Sequence, residues 1–142
     1  MAETKYAKSH RDLIVYQKAR ALAQEIFETT KSFPREEMYS LTDQIRRSSR
    51  SVGAQIAEAW AKRPYEKHFI SKLTDSDGEQ HETQHWIETA EDCGYISHEK
   101  SVQLIEKCRE VGRLLGSMID KASLFCKPPA RSISESQAEY FV

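Results

Sequence analysis

Three stretches of this chain place apolar or small residues at spacings of three and four, and no stretch reads as a strand. Phe69, Leu73, Ser76, Gln80, Thr83, Ile87 and Ala90 form one such row, and Leu104, Cys108, Val111, Leu115, Met118, Ala122 and Phe125 another. Met38, Leu41, Ile45, Ser48, Val52, Ile56 and Ala59 form the third. Steps of three and four return a side chain to the same side of an α-helix, so each row is one buried edge. A shorter row precedes them, with Val15, Ala19, Leu22 and Ile26 widened by Tyr16, Ala23 and Phe27. Four helices with one apolar edge each can hide those edges only against one another. The expected fold is therefore all-α, an antiparallel up-down-up-down four-helix bundle. The row beginning at Phe69 has several polar members and reads as the weakest of the four faces.

Punctuation sets the boundaries. Pro34 and Pro64 end the first two helices, because proline disfavours helical backbone at the residue before it. Gly94 is a natural stop for the third helix and Ser97 a natural N-cap for the fourth. The expected helices cover about 11–32, 35–63, 65–93 and 98–126, making one domain over 1–126. Residues 127–142 hold paired prolines and many small polar residues without periodicity, and are expected to form a mobile tail whose Tyr140-Phe141-Val142 end frays, with docking on a neighbour as the alternative.

With 142 residues the chain can bury one sizeable core, and its 39% hydrophobic and 30% charged content suits a soluble helical protein. No apolar run approaches the roughly 20 residues that span a bilayer, and the start lacks a secretory h-region. A cytoplasmic location and no membrane partner are expected. Cys93, Cys108 and Cys126 are odd in number and far apart, which argues against a disulfide framework or a paired-cysteine zinc site. No cofactor is expected. A formal net charge of -1 gives no general attraction for nucleic acid, so any such binding needs a local patch.

Such a patch begins on the second helix. At 100° per residue, Arg47, Arg50, Ala54, Ala57 and Ala61 fall opposite its apolar edge. Small residues there let another backbone approach closely, and arginines form bidentate bonds to carboxylates across an interface. The plainer alternative is a solvated alanine-rich face, since alanine is the best helix former. Arg46, Arg47, Arg50, Lys62, Arg63, Lys67 and Lys72 also make a candidate phosphate-binding edge. Asp75, Asp77, Glu79, Glu82, Glu88, Glu91 and Asp92 follow with no intervening Lys or Arg, a run able to pair with the arginines of another subunit. The residues expected to make subunit or phosphate contacts are Arg46, Arg47, Arg50 and Glu58, with Lys62, Arg63 and Lys67 extending the positive edge.

His81-Glu82-Thr83-Gln84-His85 fits H-E-x-x-H, in which two histidines one turn apart hold zinc and the glutamate activates its water. A zinc-dependent hydrolase is thus the enzymatic alternative. It also needs a third protein ligand and a substrate-binding strand, and His98, the one histidine further on, lies beyond Gly94. Ser48, Ser49 and Ser51 accompany no activating base, and Gly53 stands alone. The chain is expected to be non-catalytic.

Asp12-Leu13, Val15 through Ala19, Phe33-Pro34, Glu37, Tyr39, Leu41, Gln44 and Arg46-Arg47 carry a family resemblance. Ser51, Ile56-Ala57-Glu58, Gly78, Glu82-Thr83-Gln84 and Gly94-Tyr95 extend it over roughly residues 11–125. In these positions the chain resembles the four-helix-bundle family encoded in intervening sequences of bacterial 23S ribosomal RNA genes. Gln55 stands where that family usually has Asn, and Ala59 where it usually has Gly. The resemblance implies an antiparallel bundle assembling into a homopentameric barrel. The chain is also similar to the accessory protein of diversity-generating retroelements, a basic pentamer that partners a reverse transcriptase and binds nucleic acid, but lacks its strong positive charge. The combined expectation is a non-catalytic homo-oligomer acting as an accessory protein, with RNA or another protein as further partner.

Overall fold

A computed structural model describes residues 6–126, and among them there is no strand. The long helices are α1 (Ile14–Thr30), α2 (Leu41–Ala61), α3 (Glu66–Asp92) and α4 (His98–Asp120), and a short α5 (Ala122–Cys126) follows. The chain is all-α. The expected tail at 127–142 lies outside the described residues.

The α3–α4 connection follows local chemistry. Gly94 takes φ 78°, a left-handed conformation that costs glycine little, while Tyr95 N–H bonds the Ala90 carbonyl and Gly94 N–H the Glu91 carbonyl, both at 2.9 Å. This is a Schellman ending. Ser97 then accepts from Lys100 N–H at 3.0 Å and caps α4.

Two boundaries depart from the expected ones. Residues Arg35–Glu37 form a separate 3-10 turn, so α2 starts at Leu41 and Met38 lies off its row, 43% exposed. The cause is distant in sequence: Glu37 accepts from Leu41 N–H through one carboxylate oxygen and from the Tyr95 hydroxyl, 2.8 Å away, through the other. At the far end the chain breaks at Lys121, and α5 brings the Phe125 ring to 5.9 Å from that of Phe69.

Side chains bury in three groups along the helix axes. The start of α1 (Val15, Ala19) meets the end of α2 (Val52, Ile56), the start of α3 (Phe69, Leu73) and the end of α4 (Val111, Leu115). Leu22, Ile26, Ile45, Ile87, Leu104 and Cys108 form the middle group, and Phe33, Leu41 and Ala90 close the far end. Burial pushes the Cys108 thiol up to about 12, which keeps it protonated.

The polar members of the α3 row are buried too. Ser76 donates to the Val52 carbonyl at 2.8 Å, and the Thr83 and Ser48 hydroxyls lie 2.8 Å apart. Hydrogen bonding offsets the cost of removing these hydroxyls from water. Their small size draws α2 and α3 together, so the face that looks weakest by hydropathy is the polar side of a close helix pair.

Ion pairs tie α1 to α4: Lys18 to Glu110 at 3.1 Å, and Glu25 to Lys100 at 2.6 Å and to Lys107. Burial alone would raise the Glu25 pKa, but the hydrogen bonds from the two lysines outweigh it and hold the carboxyl below its ordinary 4.5. The clamp's contribution is therefore complete above that value and lost as pH falls through the lowered one. Urea unfolding at neutral pH and at about pH 3 should show a smaller acid-induced loss for Glu25→Gln than for the parent chain. Equal losses would mean that Glu25 is no more clamped than an exposed carboxylate. Among the described residues no helix is long and apolar enough to cross a membrane.

Candidate interaction surface

The outer sides of α1 and α2 leave a groove of about 570 Å³. Its sequence origin is two runs of small residues, Ala19, Ala21 and Ala23 on α1 and Ser49, Gly53, Ala54 and Ala57 on α2. Ala19 and Gly53 are buried at its floor, and Tyr16 closes it so near that a Cβ added to Gly53 would sit 3.7 Å from the ring. Arg20 and Arg50 stand exposed in its lining, which among the described residues contains no carboxylate. The groove is shallow, lined with small side chains and positive.

Beside it, three cations converge on one aromatic ring. The Arg46 guanidinium lies 4.7 Å from the Phe27 centroid, Arg50 5.4 Å and the Lys31 ammonium 5.0 Å. The negative π-face attracts each by about 0.5–1 kcal/mol at an exposed site, which offsets part of their mutual repulsion. Arg46 also donates to the Thr30 hydroxyl at 2.8 Å, and Lys31 pairs with Glu28 at 3.1 Å. Among the described residues Arg50 makes no ion pair. The positive end of this surface has spare charge.

Arg47 points elsewhere. One residue further round the helix than Arg46, it reaches Glu82 at 2.6 Å and Glu79 at 3.4 Å on α3 of its own chain. Glu82 also accepts from the Trp86 indole at 2.9 Å; that bond, then Arg47, hold its carboxyl below the ordinary range. Glu58 likewise pairs within the chain, with Lys72 at 2.8 Å. The carboxylates expected to meet Arg47 from another subunit thus include two that it already holds. Both pairs brace α2 against α3.

Lys62, Arg63 and Lys67 form a third location, at the α2–α3 corner. The Arg63 guanidinium lies over Trp60, 3.6 Å from the ring centroid, and donates to the Trp60 carbonyl at 3.0 Å. Lys62 and Lys67 are exposed and, among the described residues, make no ion pair, and between them Tyr65 is 65% exposed. The seven sequence-chosen residues therefore occupy three sites rather than one patch. Sequence reasoning missed the α1 side of this surface, Tyr16 and Arg20 in the groove and Phe27 beside it, although Ala19, Ala21 and Ala23 around Arg20 carried the same small-plus-arginine signal as α2.

Within the H-E-x-x-H stretch His81 and His85 are exposed, whereas Thr83 between them is buried. His81 Nδ1 is 3.0 Å from both the Asp77 carbonyl and Gln80 Nε2, and His85 meets the Trp86 ring edge-on at 4.7 Å between centroids. Among the described residues no three His, Cys, Asp or Glu side chains gather to hold a metal. Gln55 on α2 leaves its Oε1 buried without a hydrogen-bond partner.

The description "23S rRNA-intervening sequence protein" belongs to the family whose model matches residues 11–117. Among solved structures, a protein of unknown function from the S23 ribosomal protein family of Bacteroides thetaiotaomicron VPI-5482 is 30% identical. That match covers 75% of this chain and 96% of the other, with a TM-score of 0.69. No curated protein matches the chain.

Proposed function

Because the chain belongs to the 23S rRNA-intervening sequence protein family, we propose that it is a non-catalytic cytoplasmic accessory protein that assembles with copies of itself through the α1–α2 groove. In this reading the four long helices run up-down-up-down, antiparallel, and five protomers close a ring. The observation that carries it is the groove itself: small residues where a solvated helix carries long charged ones, flanked by Arg20 and Arg50 with no carboxylate in the lining. Small side chains give close backbone approach, and arginine supplies directional bonds once water leaves. Multi-angle light scattering tests it. A mass five times the 16.4 kDa of the chain is expected, and a single-chain mass at micromolar concentration would overturn the reading.

A second reading, RNA association, is favoured by the α2–α3 corner. Exposed Lys62 and Lys67 flank exposed Tyr65, a pairing of phosphate-binding charge with a ring on which an unpaired base can stack. A ring would repeat that corner on every protomer, multiplying weak contacts. Binding to a structured RNA should be measurable at about 50 mM salt, and Lys62→Ala with Lys67→Ala should flatten its salt dependence by about one unit of slope per lost phosphate contact. Absence of binding at that salt would remove the RNA reading and leave assembly standing.

A further inference from the structure

We infer that the occupant of the α1–α2 groove is the outer face of α3 from a second copy, a head-to-tail contact that rests on the self-assembly reading above. The first argument is charge. The groove presents Arg20 and Arg50 and no acid, whereas Asp75, Glu88 and Asp92 on α3 are exposed and make no ion pair among the described residues. From Asp75 to Asp92 the helix carries no Lys or Arg. Groove against groove would instead bring the arginines of two copies together, and like charges oppose that two-fold contact.

The second argument is Gly78. It lies inside a helix of 27 residues, where glycine weakens a helix relative to alanine, and a Cβ there would meet nothing within 4 Å. Gly112, by contrast, has an internal reason, since its Cβ would come within 2.7 Å of Gln80 Nε2. Nothing inside the protomer requires a missing side chain at Gly78, which is exposed on the same face as Asp75 and His85. Gly116 on α4 is open in the same way, so it is the acidic surroundings of Gly78 that single it out as the point where small groove residues can approach the helix closely. The groove and the α3 face are different surfaces of one protomer. Their contact is heterologous, the kind that closes into a ring when the rotation permits.

The test uses the full chain. Gly78→Gln restores a good helix former, so far-UV circular dichroism should show no less helix than in the parent, while self-association weakens by about tenfold or more. Arg50→Glu and Asp75→Arg should each weaken association, and the two together in one chain should recover it. Placing photoreactive benzoylphenylalanine at Gln24, on the groove rim, in a mixture of isotope-labelled and unlabelled chains should give crosslinks to α3 peptides of another copy. Crosslinks instead to residues 127–142 or to groove peptides, or assembly of Gly78→Gln at parental strength, would overturn the α3 contact while leaving self-assembly intact. A parent chain that scatters as a single subunit would remove both.

Discussion

Phe69→Ala should lower the free energy of unfolding by about 3–5 kcal/mol, the range for truncating a large buried aromatic. Phe69 has no exposed surface and lies where the start of α3 meets the other three long helices, with Phe125 of α5 stacked on its ring. Residues of α1, α2 and α4 share its buried cluster and α5 stacks on its ring, and a close-packed interior of that kind relaxes only in part around a deleted side chain. A domain of this kind is stable by about 5–15 kcal/mol, and the loss is thus a large fraction of the total. Urea unfolding followed by circular dichroism, with matched protein concentrations and an unchanged slope, measures it. Phe69→Leu should recover part of the stability. A loss below about 1 kcal/mol for the alanine variant would place the ring outside the core.

Ser48→Leu should destabilise by roughly 1–3 kcal/mol even though leucine improves the apolar row on which it sits. Ser48 is fully buried, its hydroxyl 2.8 Å from that of Thr83, and Ser76 closes the same helix pair through the Val52 carbonyl. A leucine must push two helices apart against those bonds. The lost hydrogen bond is the smaller effect, because the Thr83 hydroxyl still reaches the Glu79 carbonyl at 2.9 Å. Ser48→Ala separates the two causes: it removes the hydroxyl without adding bulk and should stay within about 1 kcal/mol of the parent. If leucine stabilises the chain, α2 and α3 have slack that their hydrogen bonds do not suggest, and the polar row is a hydropathic defect rather than a packing device.

The same residues mark how far the sequence could be read. Ile45, Val52, Leu73, Ile87, Leu104 and Leu115 are all buried where spacings of three and four place them, and Gly94 and Ser97 end one helix and begin the next as their local chemistry dictates. Ser48, Ser76 and Thr83 were legible as members of the row, but not as a close contact, since spacing says nothing about how near the facing helix comes. The start of α2 was misplaced because its cause, the Tyr95 hydroxyl on Glu37, lies 58 residues along the chain. The candidate surface was half legible. Arg50 and the small residues of α2 stood out, whereas Arg20, Phe27 and the Ala19–Ala23 segment joined them only when α1 lay alongside.

Arg46 and Arg47 show where the division falls. Adjacent in sequence and alike in chemistry, one lies over Phe27 of α1 and the other bonds Glu79 and Glu82 of α3. Sequence alone determined that the chain is helical, which edge of each helix is buried and where most helices stop, because those properties arise from a residue's own backbone preferences and its neighbours within a turn or two. Tertiary structure decided which charge meets which, how closely helices approach and where a groove remains. Those outcomes depend on what stands across an interhelical gap of a few ångströms, and a single helix's periodicity holds no information about its neighbour.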